Sequence, residues 1–411
     1  MRAQPIADAR YAFRKFMHDV TLVKMGGPSE ITIKGLSPMK KRVASLALLA
    51  SAVAMTSAAS AAPNWSGPGI PHAMFVQPPA QPAIDRTRGS QPAASLAQWN
   101  GGFTDLTGHS ISYTMVGADP AVSNSTTHVK VYLIPVTFIY GPDNGNKTFN
   151  PKKAKLNGNK NIIKSLLSSP IFDDGADFKS GSIDCGTGQF TDTFQRCNFW
   201  SHVSTNTSYH TVIDYTKAKA LKPLKITVTA AQGSVINNPF GSGVVGTYPI
   251  NSFETQAHSY MSSHSADITP DTFPFFISYD IYLTSGGCCI GGYHNRSGSH
   301  GTGQTYGYTT IVDSAGAFSM DIDAASHEAA EWLDDPFVDN HVNCNDNSIL
   351  EVGDPVEGKA NYGTFPVTLN GYTWHPQDEA QLPYFGAPTS TSANGWTDTN
   401  HFLNGAICPG Q

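Results

Sequence analysis

The sequence predicts an α+β fold: a mixed sheet packed on one long helix, followed by a loop-rich C-terminal lobe. Three observations predict it. His128–Tyr140 and Phe273–Leu283 are apolar runs of strand length, and Leu224–Ala230 alternates apolar and polar residues as a half-buried strand does. Ser319–Leu333 instead repeats Ile322, Ala325, Ala329, Trp332 and Leu333 at helical spacing. Only 14% of the residues are charged, and glycine, serine, threonine and asparagine are plentiful, which suits a large core joined by long loops.

Taken in order, residues 1–38 show no periodicity and read as an extension or a mis-assigned start. Met39-Lys40-Lys41-Arg42, the apolar run Val43–Met55 and the small residues Ala59-Ser60-Ala61 follow in signal-peptide order. The run is too short to span a bilayer. This predicts translation from Met39, a signal peptide over 39–61, a mature N-terminus near Ala62, and a secreted or periplasmic protein. The first 61 residues hold 9 basic and 3 acidic side chains of the chain's 26 and 32, leaving 17 and 29 and a net charge of −12. An acidic chain without a basic cluster argues against a nucleic-acid partner, and no later stretch predicts a membrane span.

Residues 62–101 are rich in proline, glutamine and alanine and read as a leader; 102–411 read as one domain. In His128–Tyr140, Pro135 predicts an edge strand or a bulge, because proline cannot donate to a ladder. Asn161–Leu167 predicts a short helix ended by Pro170, and Thr191–Trp200 is an aromatic, mixed-polar block. Phe253–Met261 predicts a helix, Phe273–Leu283 a central strand, Gly286–Gly303 a glycine-rich loop and Tyr306–Val312 a further strand.

All six cysteines follow the signal segment, and an even number in an exported chain favours disulfides. Cys185 and Cys197 bracket a short Gly/Thr-rich loop and are expected to pair. Adjacent Cys288 and Cys289 are expected to bond elsewhere, one each to Cys344 and Cys408. No Cys-x-x-Cys pair exists to suggest a thiolate zinc site. Asn64, Asn124, Asn146, Asn206 and Asn295 stand in glycosylation sequons.

The chemistry concentrates in Ser326-His327-Glu328-Ala329-Ala330-Glu331. His327 and Glu331 are four apart and share a helix face opposite the apolar stripe. Glu328 is offset by about 100° and reaches the same region from the flank. The pattern resembles the zinc-protease helix His-Glu-x-x-His with its second histidine replaced by glutamate. Ser319 or Asp321 is expected to cap the helix, and Pro336 to stop it. Asp334 and Asp335 oppose the helix dipole, which predicts partners for both. Further ligands must come from downstream: Glu351 as a ligand, Asp354 as a ligand or as the orienter of His327.

Ser-His-Glu-x-x-Glu, Asp-Pro and Glu-x-Gly-Asp (Glu351 to Asp354) together resemble a group of secreted bacterial proteins related to the plant phosphate-induced, Exordium-like family. Gly292-Tyr293-His294, Asp192–Arg196, Asn198-Phe199-Trp200 and Tyr209-His210 resemble further segments of that group, so the likeness covers roughly 125–408. The Glu331-to-Glu351 spacing is similar to that of thermolysin-like gluzincins. The resemblance implies a zincin-like fold and metallopeptidase activity.

The expectation is therefore a secreted metal-dependent hydrolase acting on a peptide or protein. Glu328 activates a metal-bound water, and His294 is a candidate catalytic donor to the oxyanion or a metal ligand. His327, Glu331, Glu351 and Asp354 hold one divalent metal, zinc first, with calcium or manganese as alternatives for so carboxylate-rich a set. The alternative is a non-enzymatic cell-surface protein with a structural ion. His375 and His401 are secondary candidates for transition-state donors, His300 reads as an exposed residue, and Arg196 either recognises a carboxylate or braces its loop.

Overall fold

The computed structural model describes residues 81–84, 94–156, 160–180, 183–204, 208–314, 319–343, 349–356 and 366–388. The expected extension, signal peptide and cleavage site lie outside these residues, as do Cys344, His401, Cys408 and the sequons at Asn64 and Asn206. Chain contacts divide the protein into Met1–Ser60 and Ala61–Gln411, and the second unit holds every described element.

That unit is mixed α+β. It opens with the hairpin β1 (Gln98–Thr104) and β2 (Ser110–Val116), then β3 (Thr126–Tyr140), the longest strand, and β4 (Thr148–Phe149). Helix α1 (Ile162–Leu166) is capped by Asn161, whose side chain accepts from the Lys164 amide. The hairpin β5 (Ala176–Ser180) and β6 (Ile183–Gly188) leads to α2 (Phe190–Asn198) and α3 (Trp200–Val203). Next come β7 (His210–Tyr215), β8 (Leu224–Val228), β9 (Val235–Asn237), β10 (Val244–Pro249) and α4 (Ile250–Ser263). The remaining elements are β11 (Thr272–Tyr279), β12 (Ile281–Thr284), β13 (Cys288–Ile290), β14 (Gly292–Ser297), β15 (Gln304–Ile311), α5 (Asp323–Asp334), β16 (Val367–Leu369) and β17 (Tyr372–Trp374).

The main sheet runs β14-β15-β11-β3, with β7 along the first half of β3 and β8 and β4 along its second half. The β15, β11, β3 and β7 pairings are parallel; β14 closes the β15 edge antiparallel. Both faces of this sheet are covered, which is why its strands read as near-continuous apolar runs. On β11, Phe276 packs with Phe253 of α4 on one face, while Phe275 and Ile277 pack with Ala325, Ala329 and Trp332 of α5 on the other. Trp332 stacks on Phe273 at 4.0 Å between centroids and donates to Thr305 Oγ1. A second sheet, β13-β12-β10-β9, adjoins in sequence.

Five sequence expectations are corrected. Strand β3 is paired on both sides, so Pro135 marks no edge; it lies between the registers of β7, which ends opposite Val131, and β8, which begins opposite Val136. Phe273–Leu283 is two strands in two sheets, separated at Asp280, which adopts φ 51°. The expected loop Gly286–Gly303 contains β13 and β14; its polar residues hid a strand because they are buried against α5 rather than solvated. The leader is not separate from the fold up to residue 101: β1 spans that boundary, and Ile84, Leu96 and Trp99 are buried. Finally, Cys288 and Cys289 are bonded to each other, so neither pairs with Cys344 or Cys408. Cys185 and Cys197 are joined, linking β6 to α2.

Candidate metal centre

Helix α5 begins at Asp323, later than its apolar pattern alone suggests. Ser319 and Asp321 adopt φ 63° and 42°, which the α-helix excludes, and Ile322 caps the helix without a side-chain bond. Asp321 is engaged elsewhere: its carboxylate accepts from the amide and the Nδ1 of His375. At the other end Asp335 terminates the helix before Pro336. Asp334 accepts from Asn198, and the Asp335 carboxylate accepts from the amides of Asp339 and Asn340. Both aspartates thus have the partners their position demands, and burial pushes each up to about 8.

All 12 residues of α5 are buried. Its chemical face does not look out to solvent as the amphipathic pattern suggests. It faces β14 and the segment around Glu351–Asp354. His327 Nε2 lies 3.1 Å from Glu331 Oε1 and 3.6 Å from Asp354 Oδ1. His294, on β14, places its Nδ1 3.4 Å from Glu328 Oε2, 3.8 Å from Glu331 Oε2 and 3.9 Å from Glu351 Oε2. The structure therefore brings together every residue that the sequence nominated for the metal, with Glu328 and His294 beside them.

Two glycines permit this approach. A Cβ on Gly292 would stand 2.6 Å from Glu328 Oε1, and a Cβ on Gly353 would overlap the His327 ring. The Gly353 amide also donates to Glu331 Oε1 at 3.1 Å.

The state of the imidazoles follows from their outer nitrogens. His294 Nε2 lies 2.9 Å from the carbonyl oxygen of Asp335, a pure acceptor, so Nε2 carries the proton. His327 Nδ1 lies 2.9 Å from Gln377 Oε1, and Gln377 Nε2 donates to the Gly353 carbonyl, which orients that amide and puts the proton on Nδ1. Burial disfavours the charged form of both rings: His294 is lowered to about 4, and His327 is lowered as well. In the neutral rings the inner nitrogens, His294 Nδ1 and His327 Nε2, are lone pairs that face carboxylate oxygens. Lone pair against carboxylate is repulsive unless a cation or proton lies between.

The carboxyls report the same strain. Burial raises Glu331 well above the usual range, and Asp354 raises it further; burial likewise raises Glu351, with Glu331 adding to it. His327 Nε2 is buried without a hydrogen bond. Two donors of one tetrahedral ion, each bonded at about 2.0–2.2 Å, stand roughly 3.3 Å apart, close to the His327–Glu331 separation. The buried groups His294/Glu331/Glu351 and His327/Glu328/Glu331 can each hold a metal ion. The donors suit a divalent cation of borderline or hard character.

Of the two roles open to His294, the geometry favours the ligand: its Nε2 faces the Asp335 carbonyl, so Nδ1, 3.4 Å from Glu328 Oε2, is the atom presented to the cluster. Sequence reasoning missed Gln377, since one glutamine far downstream carries no periodic signal, and it missed the role of the Asp335 carbonyl. Arg196 braces its loop through the carbonyls of Cys185 and Tyr209, and Phe199 is core. His300 pairs with Asp339 at 2.9 Å and, with Asn100, Tyr113 and Thr114, lines a groove of about 490 Å³ that no residue of the cluster lines.

Compared with protein-family models, with curated proteins and with solved structures, the chain finds no match.

Proposed function

We propose that the protein is a secreted metal-dependent hydrolase, a peptidase of zincin-like fold related to the Exordium-like group. The observation that carries this reading is the buried helix α5, whose His327 and Glu331 converge with Glu351 and Asp354 while Glu328 stands at their flank. His327, Glu331, Glu351 and Asp354 would hold one divalent ion, with zinc the first choice on the imidazole and calcium or manganese on the carboxylates. When bound, such an ion polarises a carbonyl and acidifies water.

The chain's own residues do the rest. Gln377 and the Asp335 carbonyl fix the imidazole tautomers, so both lone pairs point inward without reorganisation. Glu328, 3.4 Å from His294 Nδ1, would take a proton from water as general base. The Gly353 amide holds Glu331 by one oxygen and orients it.

A second reading, a non-enzymatic surface protein with a structural ion, is favoured by the burial. The side chains of His327, Glu331 and Glu351 are 0%, 4% and 4% exposed. Elemental analysis of the purified protein combined with a generic protease assay separates the two. Metal with hydrolysis supports the hydrolase; metal that only raises the melting temperature supports the structural ion.

A further inference from the structure

The two oxygens of Glu331 serve different imidazoles: Oε1 faces His327 Nε2 at 3.1 Å and Oε2 faces His294 Nδ1 at 3.8 Å. We infer that the centre holds two divalent cations bridged by Glu331, one on His327 and Asp354 and the other on His294 and Glu351. The inference rests on the metal-site reading above and deepens it.

Each imidazole argues for its own ion. Each directs its outer nitrogen at an oxygen acceptor, the Asp335 carbonyl for His294 and Gln377 Oε1 for His327, so the inner nitrogen of each ring is the ligand atom that faces the carboxylates. A single ion on His327 leaves the His294 lone pair facing the oxygens of Glu328, Glu331 and Glu351 at 3.4, 3.8 and 3.9 Å. Those contacts become favourable when a cation lies among them. Each half also has its own imidazole, His294 from β14 and His327 from α5, and Glu331 is the carboxylate shared by the two candidate groups, His294/Glu331/Glu351 and His327/Glu328/Glu331.

The test is stoichiometry on the full secreted chain. Chelator-stripped protein is titrated with zinc by calorimetry, and the loaded protein is analysed for bound metal. Two equivalents per chain are expected. His294→Asn and, independently, Glu351→Gln should each retain one, so the result survives if one variant fails to fold. Loaded with manganese, the wild type should show the paramagnetic resonance of a coupled pair, and His294→Asn that of an isolated ion. One equivalent in the wild type overturns the inference, and so does a His294→Asn variant that still binds two. A hydrolysis assay on the same samples keeps the readings apart. Two ions without hydrolysis remove the hydrolase and leave the pair standing; one ion with hydrolysis does the reverse.

Discussion

Gln377 is the residue on which the His327 lone pair depends, because its Oε1 takes the opposite ring proton at 2.9 Å. Gln377→Leu removes that acceptor and frees the ring to change tautomer. Metal affinity should fall about 10–100-fold, the usual cost of losing such an orienting partner, as measured by chelator competition. An unchanged affinity would show that the tautomer is not fixed from outside. Gly353→Ala acts on the same ring by a different route, since the added methyl overlaps the imidazole. Overpacking of this kind costs about 1–3 kcal/mol, and the variant should both melt lower and bind metal more weakly. His375 gives a pH signature. Its hydrogen bond to Asp321 raises it above the ordinary value of 6.5 despite partial burial. A raised histidine stabilises the fold fully below its unfolded value and loses that contribution as pH rises through the folded value. Melting curves of wild type and His375→Gln should therefore diverge below pH 6.5 and converge at higher pH; parallel curves would contradict the pairing.

At the scale of elements, α5 is the piece that joins core to chemistry. Its stripe was legible because Ile322, Ala325, Ala329, Trp332 and Leu333 keep helical spacing, and all five sit in one core cluster with β3 and β11. Its start was not legible, because Ser319 and Asp321 take left-handed backbone and the Asp321 carboxylate is held by His375, a partner 54 residues on. The partners of the site divide the same way. Glu351 and Asp354 were readable from motif spacing. Strand β14 was not, since Gly292–Ser297 is polar and glycine-led and reads as a loop until its burial against α5 is known. Trp332→Ala tests how far α5 depends on its core face. The indole is fully buried, stacked on Phe273 and bonded to Thr305, so its removal should cost about 3–5 kcal/mol in denaturant unfolding. A loss below about 1 kcal/mol would show that the helix is held by the metal-site face instead.

For the whole molecule, the sheet and the centre stabilise each other. Strands β11 and β15 support one face of α5, and the segments carrying His294 and Glu351–Asp354 close over the other. Any ion bound only by the folded chain adds stability by mass action, about 2.7 kcal/mol at a hundredfold excess over Kd. The carboxylate of Glu328 is within reach of an ion on His327 and Glu331, and Glu328→Gln decides whether it serves as the proposed general base or as a ligand. Metal content, melting temperature and hydrolysis of a generic protein substrate are measured together on wild type and variant. A general base leaves metal and melting temperature unchanged and loses hydrolysis about 10²–10⁴-fold on substitution, the contribution of such a group when positioned. A variant that hydrolyses as fast as the wild type would contradict that role, whatever metal it carries.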